Sequence, residues 1–349
     1  MEEKNMAILV TGGLGFIGSH TVIELLSSGY EVVIADNLSN SEISVLDKLK
    51  KLSNKTIAFY EIDVTDKDKL ELIFLNHEID GIIHFAGYKA VGESVVNPLS
   101  YYYNNLMSTI SLAELASKYD VESFVFSSSA TVYGDNVSPF KEDMPLLERT
   151  NPYGETKAMS ERILSDYSKT EPTKKITLLR YFNPIGAHES GLIGEVPKGI
   201  PNNLMPYITQ VASGKREKLF IFGNDYDTPD GTGVRDYIHV VDLARGHVAA
   251  LKKAKQGINI YNLGTGIGVS VLELIHTFIE VNQVDIPYEI VERRPGDIAV
   301  SYADTSKAEK ELGFKTVKTV EDMVRDAWRF EKNLIKSNEN DNENFSNNE

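Results

Sequence analysis

A tyrosine and a lysine four residues apart are the first candidates for chemistry in this sequence. Residues 151–157 read NPYGETK, which contains Tyr153 and Lys157. Asn151 is a typical helix cap and Pro152 suits a first helical turn, so the string predicts a helix start. Positions i and i+4 share one helix face, which would place the phenol beside the ammonium group. Such a pair is either a proton-transfer site or an ordinary solvated pair, and the surrounding elements must decide between the two.

Strand-like runs recur before and after this pair. Near-continuous apolar runs are typical of strands covered on both faces. Apolar residues at three- and four-residue spacing over 20–29 and 106–120 predict helices between them. The alternation predicts an α/β fold with a doubly wound parallel sheet. The runs are AILVTGG at 7–13, EVVIAD at 31–36, TIAFYEID at 56–63, GIIHFAG at 81–87, SFVFSSS at 123–129 and ITLLRY at 176–181.

A glycine-rich loop, TGGLGFIGSH at 11–20, follows the first predicted strand. Gly12 permits a tight turn, Gly15 lets a pyrophosphate approach the backbone, and Gly18 lets the following helix pack against the strand. The free N–H groups at the start of that helix attract phosphate. A loop of this kind between a strand and a helix predicts dinucleotide binding.

Two acids end the next two predicted strands. Asp36 can bind the ribose hydroxyls of a dinucleotide and repel a 2′-phosphate, which favours NAD over NADP. The alternative interpretation of Asp36 is a helix or turn cap. Asp63, followed by Val64, ends the third strand, where a carboxylate could meet the adenine amino group.

The amino-acid composition of the sequence changes after about residue 184. Residues 183–206 are rich in Gly, Pro and Asn and are predicted to form loops. We expect a dinucleotide-binding domain over 6–184 and a smaller substrate-binding region over 185–336, partly interleaved with the first. Residues 337–349 carry four acids and one aromatic, so we expect a disordered tail. Further elements are predicted at 258–264 as a strand and at 270–281 and 319–336 as helices.

Composition limits the function further. The 349 residues carry a net charge of −15 and no cysteine. The charge argues against a broad nucleic-acid surface, and the missing thiols exclude a disulfide framework, a thiolate nucleophile and a cysteine zinc site. No histidine pair has metal-ligand spacing, so we predict no metal and interpret His84 as a core residue. We find no signal peptide and no apolar run of membrane-spanning length, and therefore expect a cytoplasmic protein without membrane contact.

Further motifs occur in a recognisable order with the glycine loop and YGETK. Together they resemble the nucleotide-sugar 4-epimerases of the extended short-chain dehydrogenase/reductase family over roughly residues 6–330. The resemblance implies a Rossmann-type fold and a homodimer joined through the 100–119 helix and the helix of Tyr153. The motifs are HFAGYKAVGES at 84–94, SSSATVYG at 127–134, LLRYFNPIGAH at 178–188, GIPNNLMPYI at 199–208, IFGNDY at 221–226, DGTGVRDYIHV at 230–240 and YNLGTG at 261–266.

The activity that the resemblance implies is reversible C4 epimerisation of UDP-glucose and UDP-galactose, a reaction of galactose metabolism. It would proceed through a transient 4-ketosugar and a tightly bound NAD, with Ser129, Tyr153 and Lys157 as catalytic residues. A tyrosine acts as a base near neutrality only if its pKa falls by about three units, roughly 4 kcal/mol. Lys157 and oxidised nicotinamide would supply the positive charge for that shift.

The resemblance also implies two sets of binding residues. Guanidinium groups match phosphate oxygens, so the two arginines of the substrate set would clamp the diphosphate. Phe222 would stack on uracil and Asp297 would bind ribose. The cofactor set is Gly12, Gly15, Phe16, Ile17, Gly18, Asp36, Asn37, Asp63, Val64, Phe85, Ala86, Gly87, Lys89, Asn104, Ser129, Tyr153, Lys157, Tyr181 and Phe182. The substrate set is Ser129, Tyr153, Asn183, Asn203, Leu204, Phe222, Arg235, Arg294, Asp297 and Ser301.

Several interpretations stay open at this point. Ser301 matches a position that is bulky in some family members and small in others, which suggests room for N-acetylated UDP-sugars. A 4-epimerase of a uronic acid or pentose nucleotide would carry similar motifs. A nucleotide-sugar 4,6-dehydratase needs an Asp–Glu pair after its catalytic Thr, whereas Ala130 and Thr131 follow Ser129 here. A non-catalytic NAD-binding sensor could dispense with Tyr153 and Lys157.

Overall fold

The computed structural model describes residues 6–294 and 296–346. Alternating residues of the first strand enter different apolar cores, with Ile8 and Val10 in one and Ala7 and Leu9 in the other. The strands are β1 Ala7–Thr11, β2 Glu31–Asp36, β3 Ala58–Glu61, β4 Ile79–His84, β5 Ser123–Ser129, β6 Lys175–Tyr181, β7 Asn183–Ile185, β8 Leu219–Phe222, β9 Val234–Arg235, β10 Tyr237–His239, β11 Gly257–Leu263, β12 Val269–Ser270, β13 Tyr288–Val291 and β14 Val300–Ser301.

Helices cover both faces of the central, seven-stranded sheet. None of the helices in the described ranges is long and apolar enough to cross a membrane. The helices are α1 Phe16–Ser27, α2 Ser44–Ser53, α3 Lys67–Asn76, α4 Val91–Val96, α5 Pro98–Lys118, α6 Pro152–Thr170, α7 Leu204–Ala212, α8 Val240–Lys253, α9 Val271–Asn282, α10 Ser306–Leu312 and α11 Val320–Ser346, with a 3₁₀ turn at Ala130–Tyr133.

The central sheet is parallel, and its strand order is β11-β6-β5-β4-β1-β2-β3. The chain runs outward from β1 to β3, then returns to the other side of β1 with β4. Ligands of such sheets bind in the crevice at the carboxyl ends of the strands beside this reversal. The predicted α/β fold with a doubly wound parallel sheet is confirmed.

The second half of the chain adds to this sheet and also builds a smaller unit. β11 extends the sheet beside β6, and α8 contributes to the core that α1 covers, although both follow the boundary predicted at residue 184. The smaller unit contains the pairs β7–β10 and β8–β13, the β12-β9-β14 sheet, and helices α7, α9 and α11 around a third apolar core.

Two segments differ from their sequence-based predictions. The region 183–206, predicted to be loops, contains β7 and the start of α7. The tail was predicted to be disordered from Ser337, whereas α11 continues through Ser346. A helix satisfies its backbone hydrogen bonds internally, and the Ser337 hydroxyl donates to the Asn333 carbonyl at 3.0 Å, so the polar segment extends a helix already docked by its first turns. Residues 347–349 lie outside the described residues.

Candidate active site

The carboxyl end of β5 presents three consecutive serines. Ser129 caps the 3₁₀ turn, since its hydroxyl oxygen accepts hydrogen bonds from the Thr131 backbone N–H at 3.2 Å and the Thr131 hydroxyl at 3.0 Å. Its side chain is largely buried, and β5 lies next to β4 on the side of the sheet that follows the chain reversal. Ser129 therefore lies where a crevice is expected in this type of sheet.

Helix α6 brings Tyr153 and Lys157 to this strand end. The Asn151 side chain accepts a hydrogen bond from the Gly154 N–H at 2.9 Å, which confirms the predicted helix start. The Lys157 Nζ lies 5.9 Å from the centroid of the Tyr153 ring, so the two residues share a face as predicted. Lys157 Nζ also donates to the Ser127 carbonyl at 2.7 Å. This bond fixes α6 against the end of β5.

The pKa values of the pair follow mainly from burial. Burial raises the pKa of the Tyr153 phenol to about 12, and the Ser129 hydroxyl acts in the opposite direction. Burial lowers the pKa of Lys157 to about 8, while the nearby Glu161 carboxylate acts to raise it. From the sequence, Lys157 is expected to lower the pKa of Tyr153. In the structure, desolvation of the phenolate by burial dominates and raises the pKa of Tyr153 instead, so the base needs positive charge beside it.

A buried ion pair behind Lys157 was missed by the sequence reasoning. Glu161, one helical turn after Lys157, accepts hydrogen bonds from Arg180 Nε at 2.9 Å and Arg180 Nη2 at 2.6 Å. The Ser128 hydroxyl donates to the same carboxylate at 2.6 Å. The available signal was the presence of Glu161 at i+4 from Lys157, but its partner lies on β6 and is brought there only by the fold.

The glycine loop joins the carboxyl end of β1 to the start of α1. Gly12 adopts φ +68°, and a Cβ there would lie 2.9 Å from the Ala86 backbone nitrogen. A Cβ on Gly18 would lie 2.2 Å from the Gly12 carbonyl, so only glycine allows this close packing. Gly15 caps α1 without a side-chain hydrogen bond among the residues described, which leaves the first-turn N–H groups of Phe16 and Ile17 available to a phosphate.

Asp36 ends β2 as expected, whereas Asp63 lies two residues after β3, which ends at Glu61. The Asp36 carboxylate accepts hydrogen bonds from the Leu14 N–H at 3.0 Å and the Ser41 hydroxyl at 2.7 Å, so it also orders the glycine loop. Asp63 accepts from the Asn37 side chain at 3.1 Å. Burial tends to raise the pKa of Asp63, but hydrogen bonds from Thr65 and Asn37 outweigh burial and lower it.

The loop after β4 carries most of the remaining cofactor set. Asn104 Nδ2 donates to Asn105 Oδ1 at 3.0 Å, and Asn105 in turn donates to the Thr156 hydroxyl, which ties α5 to α6. Lys89 Nζ lies 3.2 Å from Glu195 Oε1. Asn105, Thr156 and Glu195 were not singled out by the sequence. Phe85 and Ala86 directly follow β4, and Gly87 comes next.

Three other predicted cofactor residues are partly or wholly within the core. Val64 and Phe182 pack in apolar clusters, so their side chains are taken up by the core. Burial, together with the nearby Tyr153 phenol, raises the pKa of Tyr181 above its usual value. Tyr181 pairs with Ser129 across the two central strands β6 and β5.

The predicted substrate residues form two groups in the smaller unit. In the first, the Arg294 guanidinium lies 4.6 Å from the centroid of the Phe222 ring, and Arg294 Nε donates to Asp297 at 3.0 Å. In the second, Ser301 on β14 pairs with Arg235 on β9. Each group thus offers one guanidinium group.

The remaining predicted substrate residues lie on β7 and at the start of α7. Asn183 has an exposed side chain, and its backbone N–H donates to the Asp236 carbonyl at 3.0 Å. Asn203 caps α7 and donates to Glu195 Oε1 at 2.6 Å, and Leu204 is the first residue of that helix. These contacts place them beside β7 and the segment that carries Glu195.

Comparisons with known proteins identify the family. A family model described as GDP-mannose 4,6 dehydratase matches residues 9–327. UDP-glucose 4-epimerase of Bacillus subtilis (strain 168) is 56% identical over 95% of this chain and 98% of its own. The UDP-glucose 4-epimerase of Bifidobacterium longum, solved with NAD⁺ and UDP, is 52% identical with a TM-score of 0.91, over 94% of this chain and 98% of that one.

A second solved structure agrees with this result. The UDP-glucose 4-epimerase of Stenotrophomonas maltophila, with bound NAD and formylated UDP-arabinopyranose, has a TM-score of 0.93 at 46% identity and covers 95% of this chain and all 100% of that one. The order of the strands, the glycine loop, and the grouping of Ser129, Tyr153 and Lys157 agree with this assignment. The chain belongs to the UDP-glucose 4-epimerase family of the extended short-chain dehydrogenases/reductases.

Proposed function

We propose that this protein interconverts UDP-glucose and UDP-galactose by reversible epimerisation at sugar C4, with a tightly bound NAD. The observation that carries the proposal is the contact of the Tyr153 phenol with Ser129 at the end of β5, with Lys157 held by the Ser127 carbonyl and an uncapped helix start suited to a diphosphate nearby. The relatives named UDP-glucose 4-epimerase, two of them solved with NAD, support it.

The residues present fit a dinucleotide. The first-turn N–H groups of α1 face a pyrophosphate position, and Asp36 at the end of β2 can receive ribose hydroxyls. Asp36 already bonds the Leu14 N–H, so ribose binding and loop order depend on one carboxylate. When bound, oxidised NAD supplies a hydride acceptor and a positive charge at the nicotinamide.

Proton transfer falls to Tyr153. Its phenolate removes the proton of the C4 hydroxyl and later returns a proton to the 4-ketosugar oxygen. Lys157, held by the Ser127 carbonyl, places positive charge beside the phenol and favours its ionised form. The Ser129 hydroxyl donates to or accepts from the same sugar oxygen and orients it.

Binding of the substrate is divided unequally between nucleotide and sugar. Arg235 and Arg294 clamp the diphosphate, Phe222 stacks on uracil, and Asp297 holds ribose, which fixes the UDP part. An epimerase must turn its ketosugar over before the hydride returns to the opposite face, so the sugar is held loosely. Arg294 already lies over Phe222, which supports a joint site for uracil and the adjacent phosphate.

The direct test is incubation of purified protein with UDP-galactose without added NAD. We expect UDP-glucose to appear, because NAD stays bound through purification and is regenerated in each turnover. Failure to form UDP-glucose from a protein that carries NAD, as seen in the absorbance spectrum, would contradict the proposal.

The alternatives are less well supported. The matched family model bears the name of a 4,6-dehydratase, but Ala130 and Thr131 follow Ser129, where that chemistry needs an Asp–Glu pair. A sensor without catalysis would not need Ser129, Tyr153 and Lys157 at one site. Uronic-acid and pentose nucleotides remain candidate substrates for the same assay.

Acceptance of N-acetylated sugars is proposed from Ser301. This small, buried residue pairs with Arg235, beside the proposed diphosphate clamp. We expect comparable turnover of UDP-glucose and UDP-N-acetylglucosamine, and a selective loss of the acetylated substrate in Ser301→Tyr. The ratio of kcat/KM for the two sugars measures this. An inert acetylated substrate, or an unchanged ratio in the variant, would contradict it.

A homodimer is proposed from the family and from an exposed apolar surface. Val95, Val96, Leu99 and Tyr103 on α4 and the start of α5 are between 61% and 81% exposed, a grouping typical of protein–protein contacts. Cytoplasmic location stays a prediction from the sequence.

Leu99→Glu is expected to convert a dimer into a monomer, since it would bury a charge in the proposed interface. Light scattering at micromolar concentration measures the mass. Leu75→Glu, which changes an exposed leucine on α3, is the matched control and should leave the dimer intact. A monomeric unmodified protein, or a dimer that survives Leu99→Glu, would contradict the proposal.

A further inference from the structure

A short segment of the smaller unit, residues 195–198, is tied at both ends to loops of the central sheet. At one end, Glu195 Oε1 accepts hydrogen bonds from Lys89 Nζ at 3.2 Å and from Asn203 Nδ2 at 2.6 Å. At the other end, Lys198 Nζ donates to the Leu38 carbonyl at 3.0 Å and to the Ser39 carbonyl at 2.8 Å. We call residues 195–198 the bridging segment.

The partners of the bridging segment lie on two different loops. Lys89 belongs to the loop between β4 and α4, and Leu38 and Ser39 belong to the loop that follows β2. In the sheet, β1 lies between β2 and β4. The ties therefore stand on either side of the carboxyl end of β1, where the glycine loop begins.

Chain length agrees with a direct crossing. Two strand spacings, from β2 over β1 to β4, amount to about 10 Å. The three residue steps from 195 to 198 also span about 10 Å when extended. The bridging segment is thus long enough to pass over the end of β1.

The chain before the bridging segment is anchored as well. Ile193 is buried in the same apolar core as Val10 of β1 and Leu14 of the glycine loop. Lys198 is an exposed residue whose ammonium group is nevertheless held by two carbonyl oxygens. The buried Ile193 and the hydrogen bonds of Glu195 and Lys198 together hold the bridging segment in place.

We propose that Glu195 and Lys198 are positioning residues that slow the release of NAD. They hold the bridging segment across the dinucleotide groove, which is the crevice at the carboxyl end of β1 where the glycine loop begins. The inference rests on the proposed function, since it takes NAD as the occupant of the groove. It explains in terms of this chain's own residues why the cofactor would stay bound between turnovers. Lys198 fixes the loop after Asp36, on the proposed adenosine side, and Glu195 fixes Lys89, another residue of the predicted cofactor set.

The test measures release of NAD from purified protein. The protein is loaded with isotopically labelled NAD, mixed with an excess of unlabelled NAD, and sampled over time for retained label. Lys198→Ala is expected to raise the dissociation rate at least tenfold, and Lys198→Arg, which can still donate to both carbonyls, should restore slow release. Glu195→Gln should raise the rate as well, because it removes the charge that pairs with Lys89.

A control variant at another lysine distinguishes an effect on NAD release from a general loss of stability. Lys215 pairs with Glu331 inside the smaller unit and does not reach the sheet loops, so Lys215→Ala should leave the release rate unchanged. Thermal unfolding of each variant with NAD removed should agree with that of the unmodified protein. A release rate in Lys198→Ala equal to that of the unmodified protein would overturn the inference. Failure of the unmodified protein to retain any NAD would instead overturn the proposed function.

Discussion

Replacement of Tyr153 by phenylalanine is expected to lower kcat for UDP-galactose by about 100- to 10,000-fold, the usual contribution of a positioned acid or base. The phenol is the proposed proton acceptor, and phenylalanine keeps the ring but cannot carry the proton. NAD content and the KM for UDP-galactose should change little, because the diphosphate and dinucleotide contacts stay intact. Coupled detection of UDP-glucose formation measures the effect.

A second tyrosine on the same helix provides the control. The Tyr167 hydroxyl is buried without a hydrogen-bond partner in the described part of the chain, so Tyr167→Phe removes an oxygen that contributes no bond. Its kcat should equal that of the unmodified protein. A Tyr153→Phe variant with more than a tenth of the normal kcat would assign the base to another group.

Glu161→Gln is expected to lower the free energy of unfolding by about 3–5 kcal/mol, since it leaves a buried arginine without its counter-charge. Glu161 and Arg180 are 4% and 3% exposed and share two hydrogen bonds of 2.6 and 2.9 Å. The amide cannot accept both guanidinium bonds with a full charge, and Ser128 loses its carboxylate partner as well. Denaturant titration followed by circular dichroism measures the change.

Two further variants test whether burial of the Glu161–Arg180 pair is the cause of the expected destabilisation. Asp166→Asn breaks the Lys169 pair on the exposed face of the same helix and should leave the unfolding midpoint unchanged. The double variant Glu161→Leu/Arg180→Met removes both charges of the pair and should recover much of the lost stability, because no guanidinium group is left buried without its counter-charge. Equal destabilisation by Glu161→Gln and Asp166→Asn would contradict this account.

Local patterns predicted most of the parallel sheet and the approach of Tyr153 to Lys157. The runs at 31–36 and 123–129 coincide with β2 and β5, because apolar strands covered on both faces have an unmistakable composition. The N-cap at Asn151 was also predicted, since capping depends only on neighbouring residues. These features rest on residues close together in the chain.

Features that depend on distant residues were not predicted. The Glu161–Arg180 pair joins α6 to β6, and the contact from Lys198 reaches the loop after β2. The raised pKa of Tyr153 also escaped prediction, because desolvation depends on how neighbouring elements cover the ring. The tail beyond Ser337 was predicted from composition alone, which ignores that a docked helix can propagate into a polar segment.

The position of β11 at the edge of the sheet has a consequence for synthesis on the ribosome. β1 to β6 have been made once Tyr181 is complete, but the edge of β6 is paired only when β11, starting at Gly257, arrives. About 75 residues separate them, which takes on the order of 4–15 s at about 5–20 residues per second. During that interval the nascent sheet has an open edge and α1 lacks α8 beside it, so this is the period in which chaperones would protect the growing chain.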